Sequence, residues 1–160
     1  MSTGGIVVAD RGTVSPAAAS VAGPVMLLTC NVPFEAAAVR VAVDAAGESG
    51  AELYICDAIP LGSFAYIDQM ARVFAEHANR RELDAVASDA RGRGIRTTQM
   101  AFHNRKPVAT ALEVCHEQRV GLLVFGADRH SLGRWTHRRA ARRLRRDARC
   151  LLWVADDNPC

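Results

Sequence analysis

Val25-Met26-Leu27-Leu28-Thr29-Cys30 is a short apolar run held between Gly23-Pro24 and Asn31-Val32-Pro33. A run of this length, closed by turn residues on both sides, suits a strand buried on both faces, as in a parallel sheet. The period then changes. Phe34, Ala38, Val41, Ala42 and Ala45 recur at helical spacing through residue 48, and Gly47 and Gly50 close the segment. The same alternation repeats down the chain. Strands are expected over 52–58, 95–102, 121–127 and 150–155, and helices over 65–91, 107–118 and 135–148. The long second helix carries Ile67, Met70, Ala71, Phe74 and Ala78 as a first buried stripe. Leu83, Val86, Ala87 and Ala90 continue it. The last helix is expected to bury Trp135, Ala140, Ala141, Leu144 and Ala148.

Strands joined by helices of this length imply parallel pairing and right-handed crossovers. The expected fold is α/β: a single doubly wound, five-stranded parallel sheet with helices on both faces, Rossmann-like. Residues 1–22 are rich in Gly, Ser, Ala and Pro and read as a flexible extension, with a short strand over 4–10 as the one structured element there. The domain then spans 23–157, and 158–160 form a tail. In open sheets of this kind ligands bind beyond the carboxyl ends of the strands, where strand order reverses. That directs attention to 29–33, 57–64 and 126–133.

Composition narrows the classes. The chain has 160 residues, 49% hydrophobic and 23% charged, which fits one globular domain. No apolar stretch reaches the roughly 20 residues that a membrane span needs, and no signal-peptide layout opens the chain, so a cytoplasmic protein without membrane association is expected. Five cysteines, Cys30, Cys56, Cys115, Cys150 and Cys160, include no Cys-x-x-Cys pair. Reduced thiols follow, with neither a disulfide framework nor a metal site.

The charge is uneven. Residues 129–149 hold nine Arg against one acid, Asp147, for a local +8, and the remainder of the chain stands at −5. Arg138, Arg139, Arg142 and Arg143 head a stripe that could attract a polyanion or nucleic acid in a salt-dependent way. The plainer reading pairs these arginines with the acidic remainder, and no known DNA- or RNA-reading motif is present. The histidines lack metal-ligand spacing. Ser131 lacks a Gly-x-Ser-x-Gly frame, and Cys115 and His116, adjacent on a helix, point apart.

Residues 24–155 resemble the universal stress protein family. The resemblance rests on Leu122-Leu123-Val124-Phe125-Gly126, a loop and helix after it, and Ala148-Arg149-Cys150-Leu151-Leu152-Trp153-Val154; Val25 to Thr29, Pro33 and the Ala-rich helix match the family's first strand and helix. It implies a site where ATP is held by a Gly-x-x-Gly loop, nine residues, then Gly-Ser or Gly-Thr, with an Asp at the end of the first strand. Here Gly126 supplies the first glycine. Arg129 takes the second position, Arg138 and Arg139, or their near neighbours if one residue is deleted in the loop, fall at the Gly-Ser position, and Cys30 replaces the Asp. Arg in place of Gly adds bulk where the backbone must approach phosphate.

The expected function is therefore a non-catalytic stress-response protein with a degenerate nucleotide site and no cofactor, acting through homodimerisation or an unidentified protein partner. Two alternatives stand beside it: an ATP- or AMP-binding switch with weak ATPase activity at most, and polyanion binding by the Arg helix. The ligand-binding candidates are Cys30, Asn31, Gly126, Arg129, Ser131, Gly133, Arg138 and Arg139. The resemblance also implies that the last strand, Leu151, Leu152, Trp153 and Val154, pairs across a two-fold axis. Cys30 reads as a buried small hydrophobe, with a redox-sensing thiol as its alternative.

Overall fold

The computed structural model describes the backbone of residues 5–8, 22–61 and 66–155, and the side chains of 22–61, 70 and 73–155. Within each strand, alternate residues choose opposite layers. From β2 (Val25–Thr29), β3 (Leu53–Pro60) and β5 (Leu122–Phe125), the side chains of Val25, Leu27, Leu53, Ile55, Leu122 and Val124 face one layer. That layer is covered by α1 (Ala36–Ser49) and the second half of α2 (Tyr66–Gly92). Met26, Leu28, Tyr54, Cys56, Leu123 and Phe125 face the other, under α3 (Pro107–Glu117) and α5 (Arg134–Asp147). β4 (Thr97–Asn104) and β6 (Leu151–Val154) complete a five-stranded parallel sheet with helices on both faces.

A sixth strand, β1 (Gly5–Val8), pairs antiparallel along the outer edge of β6, with Gly5 opposite Val154 and Val8 opposite Leu151. The sheet order is β1-β6-β5-β2-β3-β4, so strand order reverses between β2 and β5. β1 is the short strand expected within 4–10. The rest of the N-terminal extension, the tail 158–160, Cys160, and the side chains of Ile67 and Ala71 lie outside the described residues.

Four local expectations are corrected. Trp135 is 72% exposed, and the buried stripe of α5 is His137, Ala140, Ala141 and Leu144. Those four recur at i, i+3, i+4 and i+7, and Trp135 lies two positions before them, about 200° around the helix. Met70, Val73 and Phe74 are also exposed, Phe74 by 67%. A helix of 27 residues is about 40 Å long, whereas the eight residues of β3 span about 26 Å, so α2 overhangs the sheet and only its later stripe is buried. Phe34 does not open α1. It forms an antiparallel bridge with Ala127, and Glu35 stands at the helix start. Finally, a separate short turn of helix, α4 (Arg129–Leu132), precedes α5, and Gly133 at φ 89° makes the break between them.

Candidate functional site

The loops beyond the carboxyl ends of β2 and β5 meet at the switch point, and they are tied together by backbone hydrogen bonds. Gly126 N–H donates to Leu28 O at 2.8 Å, Glu35 N–H to Gly126 O at 2.8 Å, and Asp128 N–H to Pro33 O at 2.9 Å. Gly126 is needed for close packing. A Cβ there would stand 2.8 Å from Leu27 Cδ1, 3.1 Å from Ala38 Cβ and 3.2 Å from Phe34 Cδ1. The absence of a Cβ here lets Leu27, Ala38 and Phe34 pack close against the backbone.

Beneath this junction lies a buried polar cluster. Asp57 is 3% exposed and sits within β3, opposite Thr29, rather than in the loop beyond it. Its Oδ1 accepts the Asn31 backbone N–H at 2.6 Å, and its Oδ2 accepts Asn79 Nδ2 at 2.6 Å. Asn31 adopts φ 55°, a left-handed conformation that Asn tolerates, and this aims its N–H at the carboxylate. Burial pushes the Asp57 carboxyl up from its ordinary range, against the lowering effect of the two hydrogen bonds. The amide oxygens of Asn31 and Asn79 find no protein partner. Glu82 of α2 adds a second tie, accepting the Phe34 N–H at 2.9 Å. Cys30 is buried beside the cluster, and burial, then the Asp57 charge, pushes its thiol up to about 12. Its burial is what the plainer reading expected.

The loop after β5 is equally self-satisfied. Asp128 caps α4, its Oδ2 accepting the Ser131 N–H at 2.9 Å and the Ser131 hydroxyl at 2.7 Å. Those bonds hold the Asp128 carboxyl below the usual range. Arg129 opens α4 half-buried, and Arg138 and Arg139 stand exposed on α5. The Arg139 guanidinium lies over the Trp135 ring, 5.3 Å from its centroid, while His137 packs against Phe125 with centroids 5.0 Å apart. Along α5, Arg143 and Arg146 reach Asp147 at 3.7 and 2.8 Å, so these two find an acid within the helix. Leu152, Trp153 and Val154 are buried within the sheet, and Leu151 is half-buried.

The structure thus brings Cys30, Asn31, Gly126 and Ser131 to one end of the sheet. Asp57, Asn79 and Asp128 were missed as site residues. The signal for Asp57 was available, as the one charge inside the apolar run Leu53 to Ile59. At the opposite end, the amino ends of the strands, a pocket of about 840 Å³ opens between α3 and the start of β6. Cys115, His116, Arg119, Arg149 and Cys150 are among its lining residues. Among the described residues no group of three or more His, Cys, Asp or Glu is placed to hold a metal ion, and no helix is long and apolar enough to cross a membrane.

The sequence matches the universal stress protein family over residues 25–155. No curated protein matches at a significant level. Among solved structures, the chain is similar to a universal stress protein family member from Burkholderia pseudomallei, at 20% identity and a TM-score of 0.63, covering 84% of this chain and 96% of that one. It is also similar to the universal stress protein from Archaeoglobus fulgidus in complex with dAMP, at 15% identity and 0.58, covering 82% and 96%. A third is a universal stress protein from Lactobacillus plantarum, at 14% and 0.55, covering 84% and 99%. The chain belongs to the universal stress protein family.

Proposed function

We infer that this chain is a non-catalytic, cytoplasmic regulatory member of its family, that its nucleotide site is degenerate, and that it acts through a second copy or a protein partner. The Asp128 carboxylate carries this reading. It occupies the Ser131 amide and hydroxyl in the loop where the family resemblance places a phosphate cradle. An anionic side chain already bound to those donors opposes a phosphate there, both by charge and by taking the hydrogen bonds. Arg129 in place of the second glycine and Cys30 in place of the Asp point the same way. The residues present do not fit the family's backbone cradle.

The Archaeoglobus fulgidus relative bound to dAMP sets the terms of the test. The melting temperature is measured with and without millimolar Mg-ATP, AMP or dAMP. Ligand at a hundredfold its Kd stabilises by about 2.7 kcal/mol, a shift of several degrees for a domain of this size. No shift is expected. A reproducible upward shift would reject the degenerate site in favour of a nucleotide switch. Assembly is read by sedimentation: a monomer at all concentrations, with no partner recovered, sinks the dimer-or-partner reading. Because β1 covers the outer edge of β6, pairing of that strand with a second copy requires β1 to leave it.

One observation favours a second reading. Trp135 is exposed and stacked under Arg139 on the Arg-laden face of α5, which supplies the aromatic group that a nucleic-acid surface uses.

A further inference from the structure

Cys115 and Cys150 are 35 positions apart in sequence, and the fold brings their sulfurs together. Cys115 ends the buried stripe of α3, and Cys150 stands one residue before β6. The Cys115 S–H has two sulfur acceptors in reach, Met26 Sδ at 3.3 Å and Cys150 Sγ. Both cysteines line the pocket at the amino end of the sheet, together with Arg119 and Arg149 and the acids Glu113, Glu117 and Asp147. Cys150 is half-buried and opens onto that pocket, whereas Cys115 is buried behind it. The Cys115 S–H, followed by the backbone N–H groups of Leu123 and of Cys150 itself, holds the Cys150 thiol below its ordinary range despite its burial. Burial raises Cys30 and Cys56 instead. A half-exposed thiol with a lowered pKa beside a second thiol is the arrangement a peroxide-sensing pair requires.

We propose that Cys150 and Cys115 form a redox pair, in which Cys150 is oxidised by a hydroperoxide entering the amino-end pocket and Cys115 then resolves it to an intramolecular disulfide. The Cys150 thiolate attacks the distal peroxide oxygen and the O–O bond breaks. Sulfur gains the oxygen as sulfenic acid, and the departing alkoxide or hydroxide takes a proton from solvent. Cys115 attacks the sulfenic sulfur, the S–O bond breaks, and hydroxide leaves as water with the Cys115 proton. Two thiols and one hydroperoxide give one disulfide, one water and one alcohol, or a second water from hydrogen peroxide; two electrons pass from sulfur to oxygen.

The test uses the full chain carrying Cys160→Ser, because a tryptic fragment beginning at Cys150 would otherwise contain both Cys150 and Cys160. Reduced protein is treated with hydrogen peroxide at pH 7, digested without reductant and weighed. The expected product is the Cys115 peptide linked to the Cys150 peptide, 2 Da below their sum by loss of two hydrogens, with Cys30 and Cys56 unmodified. In the Cys115→Ser variant, Cys150 should halt at a sulfenic acid that dimedone traps. In the Cys150→Ser variant, Cys115 should stay reduced. On alkylation with iodoacetamide at pH 7, Cys150 should react on the order of tenfold or more faster than Cys30. No linked peptide from protein whose circular dichroism is native, or Cys150 alkylating no faster than Cys30, would overturn the proposal.

Discussion

The two ends of this sheet are built from the same strands and finished in opposite ways. At the carboxyl end the loops after β2 and β5 spend their donors on one another and on two carboxylates. Phe34 bridges Ala127, Asn31 and Asn79 serve Asp57, and Ser131 serves Asp128. At the amino end a pocket of about 840 Å³ stays open, walled by Arg, His and Glu side chains and two thiols. Cysteine chemistry follows the same division. Cys30, buried at the closed end, is pushed up to about 12, whereas Cys150, facing the open end with donors around it, is lowered. In open α/β sheets the carboxyl end is the usual place to look for ligand chemistry. Here the proposed redox pair lies at the other end.

The largest test of this contrast is Asp57. Asp57→Ala leaves the Asn31 N–H and the Asn79 amide without an acceptor in a buried site, and a loss of about 2–4 kcal/mol is expected in urea denaturation. Asp57→Asn should behave differently. Asn79 has an unpartnered Oδ1, so turning its amide over lets a new carboxamide donate to it while still accepting the Asn31 N–H. Burial holds the Asp57 carboxyl above its ordinary range, so the folded chain binds that proton more tightly than the unfolded one. Stability linked to this group is full below the ordinary aspartate pKa and declines as pH rises through the higher folded value. Asp57→Asn should abolish that decline and match or exceed the wild type at pH 7. If Asp57→Asn loses as much as Asp57→Ala, the carboxylate has a role beyond structure and the closed end is a site after all.

A smaller effect is expected at Asp128. Removing an N-cap costs about 1 kcal/mol, and Asp128→Ala should show this at neutral pH. The Asp128 carboxyl is held below its ordinary range, so its contribution is present above the ordinary pKa and is lost as pH falls through the lower folded value. Wild type and variant should converge in acid. The same variant sharpens the functional reading: an Mg-ATP shift that appears only in Asp128→Ala would mean that this one carboxylate had been keeping phosphate out.

The five-stranded parallel sheet and the two-faced helical cover were legible because strand alternation and crossover length leave few topologies. Side-chain partners across the fold were not. Cys115 and Cys150 meet because the end of α3 and the residue before β6 line the same pocket at the amino end of the sheet, a relation that no local spacing encodes. Trp135 was misplaced for a subtler reason. A helical stripe can be drawn through several sets of apolar residues, and the set that wins includes His137, polar by type yet buried against Phe125. The Gly126 position was found, but its packing neighbours were not: a glycine that lets a phosphate approach and one that lets a phenylalanine approach look alike until the neighbour is known.

The smallest expected effect concerns α5, which runs from the closed end to the open one. Its exposed arginines sit on the outer face, and Arg143 and Arg146 share a single acid, Asp147, close to the pocket. Exposed pairs of this kind are worth about 0–1 kcal/mol, and surface Arg→Gln changes usually stay within about 0.5 kcal/mol each. The variant Arg138→Gln, Arg139→Gln, Arg142→Gln, Arg143→Gln should therefore keep its fold, and Trp135→Ala, truncating a ring already in water, should keep its stability as well. Binding to heparin and to single-stranded DNA separates the two readings of this face. If the face is only a solvated surface, both variants match the wild type at 150 mM salt. If it is a polyanion surface, the quadruple variant loses salt-dependent binding to both ligands, each lost phosphate contact flattening the logarithmic salt slope by about 0.7–0.9. Trp135→Ala then weakens single-stranded DNA, which stacks on a ring, and spares heparin, which does not. That last difference is the sharper test, because charge alone attracts both polymers and only an exposed ring distinguishes them.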